Sequence, residues 1–96
     1  MKIDIRYTFD GLDSTLKNDV ERRLILAFSK VEAHISAIVL TLSKDDGSSN
    51  KHCSLTISLN CISDILIEET QKDLNNAINR VIQRAIRIIY RKIDQK

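Results

Sequence analysis

Apolar and polar side chains alternate along several short segments of the chain, as in strands with one buried face. Residues 2–9 alternate in this way, and residues 51–60 do so throughout. Residues 35–44 are β-branched and almost continuously apolar, which predicts a strand covered on much of both sides. Residues 64–69 predict a short fourth strand after a turn. The inward positions of the third predicted strand are Cys53, Leu55, Ile57 and Leu59.

Two longer segments repeat apolar side chains every three or four residues, as amphipathic helices do. The first runs from residue 14 to about 33, and Asp13 is placed to cap its N-terminus. The second runs to about residue 92 from Thr70, the predicted cap, with Asp73 at the third helical position. The apolar stripes are Leu16, Val20, Leu24, Ala27, Phe28 and Val31 in the first helix, and Leu74, Ala77, Ile78, Val81, Ile82, Ala85, Ile88 and Ile89 in the second.

The predicted elements follow the order β-α-β-β-β-α, an α+β arrangement with a loop at residues 45–50. A four-stranded sheet with one apolar face offers a surface on which both helices can bury their stripes side by side, as in double-stranded-RNA-binding-domain-like folds. A chain of 96 residues without an internal repeat or a linker is expected to form a single domain, residues 1–96.

The overall composition is that of a globular protein, with 43% hydrophobic and 29% charged residues and no proline. No apolar run reaches the roughly 18 residues that a membrane span needs. The first residues lack the apolar stretch and the cleavage site of a signal peptide. We therefore expect a cytoplasmic protein that does not bind a membrane.

The residue types that usually carry catalysis or bind metals form no recognisable set. Cys53 and Cys61 are not spaced as a CxxC pair and are expected to be reduced core residues. His34 and His52 stand at no metal-ligand spacing with each other or with the cysteines. There is no nucleophile–base pair and no glycine-rich phosphate loop, and the acidic pair at residues 68–69 is interpreted as solvated. We expect no metal, no cofactor and no enzymatic activity.

Basic residues concentrate at the C-terminal end of the chain. Residues 1–69 carry eight Lys or Arg against eleven Asp or Glu, whereas residues 70–96 carry seven against two. A basic segment on an otherwise acidic chain favours a surface that faces a polyanion.

Four arginines of the second helix recur at spacings of four, three and four residues. At roughly 100° per residue they fall within roughly 60° of one another, well away from the apolar stripe. Their axial separation of roughly 5–6 Å is near that of phosphates along a nucleic-acid strand, and guanidinium groups suit bidentate phosphate contacts. This arginine stripe is Arg80, Arg84, Arg87 and Arg91, and the first helix adds Arg22, Arg23 and Lys30 on the flank of its apolar stripe.

A solvated helix face is the ordinary explanation of a charged stripe opposite an apolar one. Such a face normally mixes both signs of charge through pairs one turn apart. Here every position of the stripe is arginine, and the one acidic residue expected on the same face is Asp73 at the helix start. The stripe is therefore expected to have almost no acidic partners and to favour RNA binding.

The segment EETQKDLNNAINRVIQRAIRIIYRK, residues 68–92, resembles the ribosome hibernation-promoting factors, a family that includes ribosome-associated inhibitor A and was earlier labelled sigma-54 modulation protein. In that family an acidic strand end leads into D-[ML]-Y-x-A-I-D and then a basic helix. Residues 14–35 are similar to the family's first helix, and residues 52–60 to its third strand. The matching residues of the motif are Asp73, Leu74, Ala77 and Ile78. The chain departs from the family at Leu66, Asn75 and Asn79.

This resemblance implies binding to the small ribosomal subunit, in the channel for messenger and transfer RNA, and inhibition of translation under stress or in stationary phase. It also implies a short form, without the C-terminal dimerisation domain of the long members. The RNA-contacting positions of the family carry over to Arg22, Arg23, Lys30, Arg80, Arg84, Arg87, Arg91 and Lys92.

The sequence bears on two other functions, of which the first is disfavoured. A double-stranded-RNA-binding domain has a similar core, but it carries a lysine cluster at the start of its last helix, where this chain has residues 71–73, Gln-Lys-Asp. A diverged protein-interaction module that has lost ribosome binding would use Ile25 and Leu26, which lie off the apolar stripe, for a partner or for weak self-association. Such an interaction is expected to be insensitive to salt, whereas RNA binding weakens steeply with salt.

Overall fold

The structure is a computed structural model that describes residues 1–7, 14–44, 47 and 49–94. Its strands are β1 (Lys2–Tyr7), β2 (Ile35–Lys44), β3 (Lys51–Leu59) and β4 (Ile65–Gln71). Its helices are α1 (Ser14–Phe28), a 3-10 helix (Ser29–His34) that continues α1, and α2 (Leu74–Asp94). The predicted order β-α-β-β-β-α and the α+β class are confirmed.

The four strands form one sheet in the order β1-β2-β3-β4. β1 runs parallel to β2, and the other neighbours are antiparallel. Because β1 and β2 are parallel, α1 crosses between them over one face of the sheet. Ile5, Leu40, Leu55 and Ile67 stand side by side in register from one edge to the other, and all four are buried. This row is part of the apolar face of the sheet, on which the helices pack.

The two helices pack side by side on that face of the sheet, as predicted. α2 contacts β3 and β4, and α1 contacts α2 and β1. Each helix follows a strand and runs back over the sheet, so the two helices run in the same direction. No helix among the described residues is long and apolar enough to cross a membrane. The buried side chains of the helices are Val20, Leu24 and Phe28 in α1 and Ala77, Ile78, Val81, Ile82, Ala85 and Ile89 in α2.

No described helix covers the opposite face of the sheet. Ile38 and Leu40 of β2 are fully buried, whereas the alternate residues Val39 and Thr41 stay partly exposed. Both helices pack on the same side, yet residues 37, 39, 41 and 43 are of intermediate burial, so much of the second side is covered, as predicted. The inward set predicted for the third strand is confirmed.

The start of α2 differs from the predicted one. Thr70 belongs to β4, which extends to Gln71, so the predicted Thr70 cap is wrong. Asp73 is the capping residue instead: its Oδ1 accepts a hydrogen bond from the Asn75 amide at 3.3 Å, and its carbonyl accepts one from the Ala77 amide at 3.1 Å. Strand pairing with β3 thus delays the helix by several residues relative to the sequence expectation.

The end of the first helix also differs from the prediction. The α-helix stops at Phe28, and the chain continues as the 3-10 helix to His34. Val31 has φ −117° and ψ 15°, yet it is buried and completes the apolar stripe. The predicted Asp13 cap and the predicted strand residues 8–9 lie outside the described residues.

The two cysteines are free thiols in different environments. Cys53 is fully buried in β3, and burial raises its pKa to about 12, with the negative charge of Glu69 as the second cause. Cys61 is exposed in the turn after β3, at a left-handed backbone position with φ 63°. The prediction that both cysteines are core residues is therefore wrong for Cys61.

Leu24 and Leu26 lie two residues apart on α1 in opposite environments, since Leu24 is fully buried and Leu26 is 69% exposed. Leu24→Ala leaves a cavity in the core, so we expect the free energy of unfolding to fall by about 2–5 kcal/mol. Leu26→Ala is the matched control and should change it by less than about 0.5 kcal/mol. Urea denaturation followed by circular dichroism measures both values. Similar losses in the two variants would contradict this rotation of α1.

The native protein should react quickly with a chromogenic thiol reagent at Cys61 only. The Cys53 sulfur is buried, and its pKa of about 12 keeps it protonated at about pH 8, where the thiolate is the reactive form. Cys61→Ser should therefore abolish the fast reaction, and Cys53→Ser should leave it. Both thiols should react in denaturant. Fast modification of Cys53 in native buffer would show instead that the core at β3 is open.

Candidate nucleic-acid interface

The flank of α2 that carries the arginine stripe lies above β4, the last strand of the sheet. Arg80 Nε lies 3.2 Å from Glu69 Oε1, and Arg84 Nη1 lies 3.4 Å from the same oxygen. The stripe is exposed, as predicted: the side chains of Arg80 and Arg84 are 62% and 51% exposed. The first two arginines of the stripe thus combine solvent exposure with an acidic partner.

Glu69 is an acidic partner that the sequence pattern did not predict. Its side chain is only 18% exposed. It points to the helix side of the sheet, because its register partner on β3 is the buried Cys53. The expectation that the stripe has almost no acidic partners is therefore wrong for Arg80 and Arg84. Periodicity along α2 carries no signal for this contact, since the carboxylate belongs to a different element.

Basic side chains of α2 also bind the backbone along this edge of the sheet. Arg84 Nη1 donates a hydrogen bond to the Glu68 carbonyl at 3.1 Å. Lys92 Nζ lies 2.9 Å from Ser63 Oγ and 3.4 Å from the Ser63 carbonyl, just before β4. An edge strand presents unpaired backbone groups that can pair with another chain. Arg84 therefore has a structural role as well, because it occupies a backbone acceptor of β4, and Lys92 binds the turn that precedes this strand.

Arg87 and Arg91 differ from the other two members of the stripe. Both are exposed, and neither makes an ion pair or a hydrogen bond with any residue that the structure describes. They lie four residues apart on one side of α2, so they present two uncompensated positive charges one turn apart. We call Arg87 and Arg91 the free pair.

The three cations predicted on the first helix also divide into two groups. Arg23 pairs with Asp19 one turn earlier at 2.8 Å and donates to Asn79 Oδ1 of α2 at 3.5 Å. Arg23 therefore helps to hold α1 against α2. Arg22 and Lys30 are exposed, and neither pairs with a carboxylate in the described part of the chain. Lys30 lies on the 3-10 helix rather than on α1.

An exposed ridge of α2 separates the basic groups of the two helices. α1 meets α2 at Asn79, whereas the arginines paired with Glu69 lie on the opposite flank. At roughly 100° per residue, Gln83 and Tyr90 fall between these flanks, and both are exposed. The basic surface expected across both helices is thus divided by a polar and aromatic ridge. Sequence reasoning missed Tyr90, although its spacing of three residues from Arg87 was a usable signal.

No group of three His, Cys, Asp or Glu side chains among the described residues could hold a metal ion. The described residues that line an open depression of about 310 Å³ are Thr15, Asn18, Asp19 and Arg22 of α1.

Comparisons with known proteins find similarity in structure but not in sequence. No protein-family model matches the chain, and no curated protein matches it in sequence. Among solved structures, it is similar to a ribosomal subunit interface protein from Coxiella burnetii, with a TM-score of 0.80, 15% identity and full coverage of both chains. It is also similar to the Protein Y N-terminal domain of Thermus thermophilus, with a TM-score of 0.77, 18% identity and coverage of 95% of this chain and 98% of that one. The chain therefore has the fold of these proteins, and its resemblance to the hibernation-promoting factors is confirmed at the level of the fold.

Proposed function

We propose that this chain is a non-enzymatic, ribosome-associated factor of the cytoplasm that binds small-subunit ribosomal RNA and limits translation during hibernation. The full-length fold likeness to a ribosomal subunit interface protein supports a ribosomal partner. The exposed cations on the helix layer support RNA as the ligand. The proposed binding needs neither a metal nor a cofactor.

The observation that carries this proposal is the free pair, Arg87 and Arg91. The two residues are about 6 Å apart along the helix axis, close to the spacing of phosphates in a strand. Because neither guanidinium has a partner among the described residues, binding a phosphate breaks no contact within that part of the protein. Binding also releases counterions from the RNA, which favours association at low salt.

The other predicted site residues contribute unequally under this proposal. Arg22 and Lys30 are available for phosphate in the same way as the free pair. The two arginines paired with Glu69 must exchange a carboxylate for a phosphate, so their net gain is smaller. The residues held in contacts that support the fold are Arg23 and Lys92.

A second candidate function is a protein-interaction module. Ile25 and Leu26 are 46% and 69% exposed and adjacent on α1, away from the buried stripe. Two neighbouring exposed aliphatic side chains favour a small apolar contact with a partner or with a second copy of the chain. Such a contact would persist at high salt, because it does not depend on charge.

Removing the charges of the free pair should weaken ribosome binding. For Arg87→Gln/Arg91→Gln we expect the affinity for small ribosomal subunits at low salt to fall by about tenfold or more, because two phosphate contacts are lost. The slope of log affinity against log salt should become shallower by roughly one to two units. Co-sedimentation with purified subunits between about 50 and 300 mM salt measures both quantities. Inhibition of a cell-free translation reaction should fall in parallel.

The control is Lys2→Gln/Arg6→Gln, which removes the same formal charge from β1, where Arg6 pairs with Asp4 at 2.8 Å. Both residues point to the sheet face away from the helices. This variant should bind and inhibit like the unchanged protein. Equal weakening by the two double variants would mean that net charge alone governs binding, and absence of binding at every salt concentration would contradict a ribosomal partner. A salt-insensitive association that Leu26→Ala abolishes would support the interaction module.

Glu69→Gln should tighten RNA binding, because it releases Arg80 and Arg84 from their carboxylate. We expect the affinity for a labelled RNA at low salt to rise by about two- to fivefold, the size of a typical exposed ion pair. Glu68→Gln removes the same charge from the neighbouring residue, which faces the other side of the sheet 3.7 Å from His52. Fluorescence anisotropy compares the two variants. A similar rise in both would show that Glu69 does not compete for the stripe.

A further inference from the structure

Tyr90 is an exposed aromatic residue among the cations of α2. Of the aromatic side chains that the structure describes, Phe28 is fully buried, and Tyr7 and Tyr90 are 44% and 40% exposed. Tyr7 lies on β1, at the opposite edge of the sheet from α2. Tyr90 therefore is the one described aromatic group that lies on the proposed RNA-binding helix with its ring accessible.

Tyr90 is a neighbour of Arg87 on the surface of α2 and is adjacent to Arg91 in sequence. Arg87 precedes it by three residues, a spacing that places the two Cβ atoms about 5–6 Å apart on a helix surface. Arg91 is the next residue along the chain. Ile86 and Ile93, four residues before and three after, are half-buried on the side towards α1. The ring thus stands at the border between the apolar contact of the helices and the exposed cations.

The surroundings of Tyr90 give the aromatic ring no evident role in stabilising the fold. Its hydroxyl makes no hydrogen bond with any residue in the described ranges. A large exposed ring beside unpaired guanidinium groups is the combination with which proteins bind single-stranded nucleic acid: cations follow the backbone, and an aromatic face receives a base.

We propose that Tyr90 stacks on an unpaired nucleobase whose flanking phosphates are held by Arg87 and Arg91. This inference rests on the proposed function and specifies its ligand: a single-stranded or looped RNA segment is preferred over continuous duplex. In a duplex each base already stacks on its neighbours, and its face is not accessible to a side chain. Loops and single strands offer bases that can turn out onto an aromatic ring, whereas the phosphate contacts alone do not distinguish the two forms.

Tyrosine fluorescence measures this contact directly, because the chain contains few fluorescent side chains. The sequence contains two tyrosines and no tryptophan, so a Tyr7→Phe protein has Tyr90 as its one intrinsic fluorophore of this kind. Titration with a single-stranded RNA should quench this fluorescence, because a stacked base lies against the ring. A blunt-ended duplex of two strands, without a loop and with the same number of phosphates, should bind with less quenching. Thermal unfolding of each variant confirms that the fold is intact.

Substitutions of Tyr90 separate stacking from charge. Tyr90→Ala should weaken single-strand binding by roughly fivefold to a hundredfold, the range for loss of one base–aromatic stack, and should leave duplex binding nearly unchanged. Its salt slope should match that of the unchanged protein, because no phosphate contact is lost. Tyr90→Phe should retain the affinity, and Tyr90→Leu should not, since leucine keeps apolar surface without an aromatic face.

The outcomes distinguish this inference from the proposed function. If RNA binds with a steep salt dependence but Tyr90→Ala changes neither affinity nor strand preference, stacking is excluded while the ribosomal role stands. If no RNA binds at low salt, both proposals fail. If Tyr90→Ala prevents binding to ribosomal subunits but leaves the affinity for single-stranded RNA unchanged, the ring contacts a protein and the stacking proposal is overturned.

Discussion

Burial of the apolar stripe of α2 on the sheet determines how this molecule presents its charges. Six of its side chains lose their contact with water against β3, β4 and the neighbouring helix. Fully burying one large aliphatic side chain stabilises the folded state by about 1.5–3 kcal/mol. A different rotation of α2 would expose several of these side chains, and the stability lost would exceed what any surface contact provides. With the rotation fixed, Asn79 faces α1, the arginine stripe faces the edge at β4, and Tyr90 lies between them. The helix surface is therefore a consequence of core formation.

The same physical hierarchy explains which features were predictable. Apolar periodicity gave the order of the elements, the inward side of β3 and the exposure of the arginines, because burial dominates the energetics of each element. The Thr70 cap failed because pairing with β3 extends β4 beyond the point where local capping preference would start a helix. The ion pairs of Glu69 were hidden because they depend on the register of β4 and on how α2 lies over it. Local preferences predict well where no tertiary contact competes with them.

The candidate site shows that residue type alone does not decide function. Four arginines at helical spacing look equivalent in the sequence, yet two share a carboxylate on β4, and two have no partner in the described part of the structure. The first helix shows the same division. Arg23 supports the contact between the helices, whereas Arg22 is available to bind a phosphate. The net charge of the chain, +2, therefore understates the positive charge that the helix layer presents to a ligand.

The parallel pairing of β1 with β2 bears on the order in which the molecule assembles. β2, β3 and β4 follow one another as antiparallel neighbours with short connections, so their pairing closes small loops. β1 has a single neighbour, and Lys2 meets Ala37 only after the whole of the first helix has been placed between them. Long-range pairing loses the entropy of loop closure before its contacts can form. We therefore expect the β1–β2 pair to form late in folding. The helix that bears the candidate RNA contacts belongs to the part of the chain that can become ordered first, and the N-terminal strand completes the sheet afterwards.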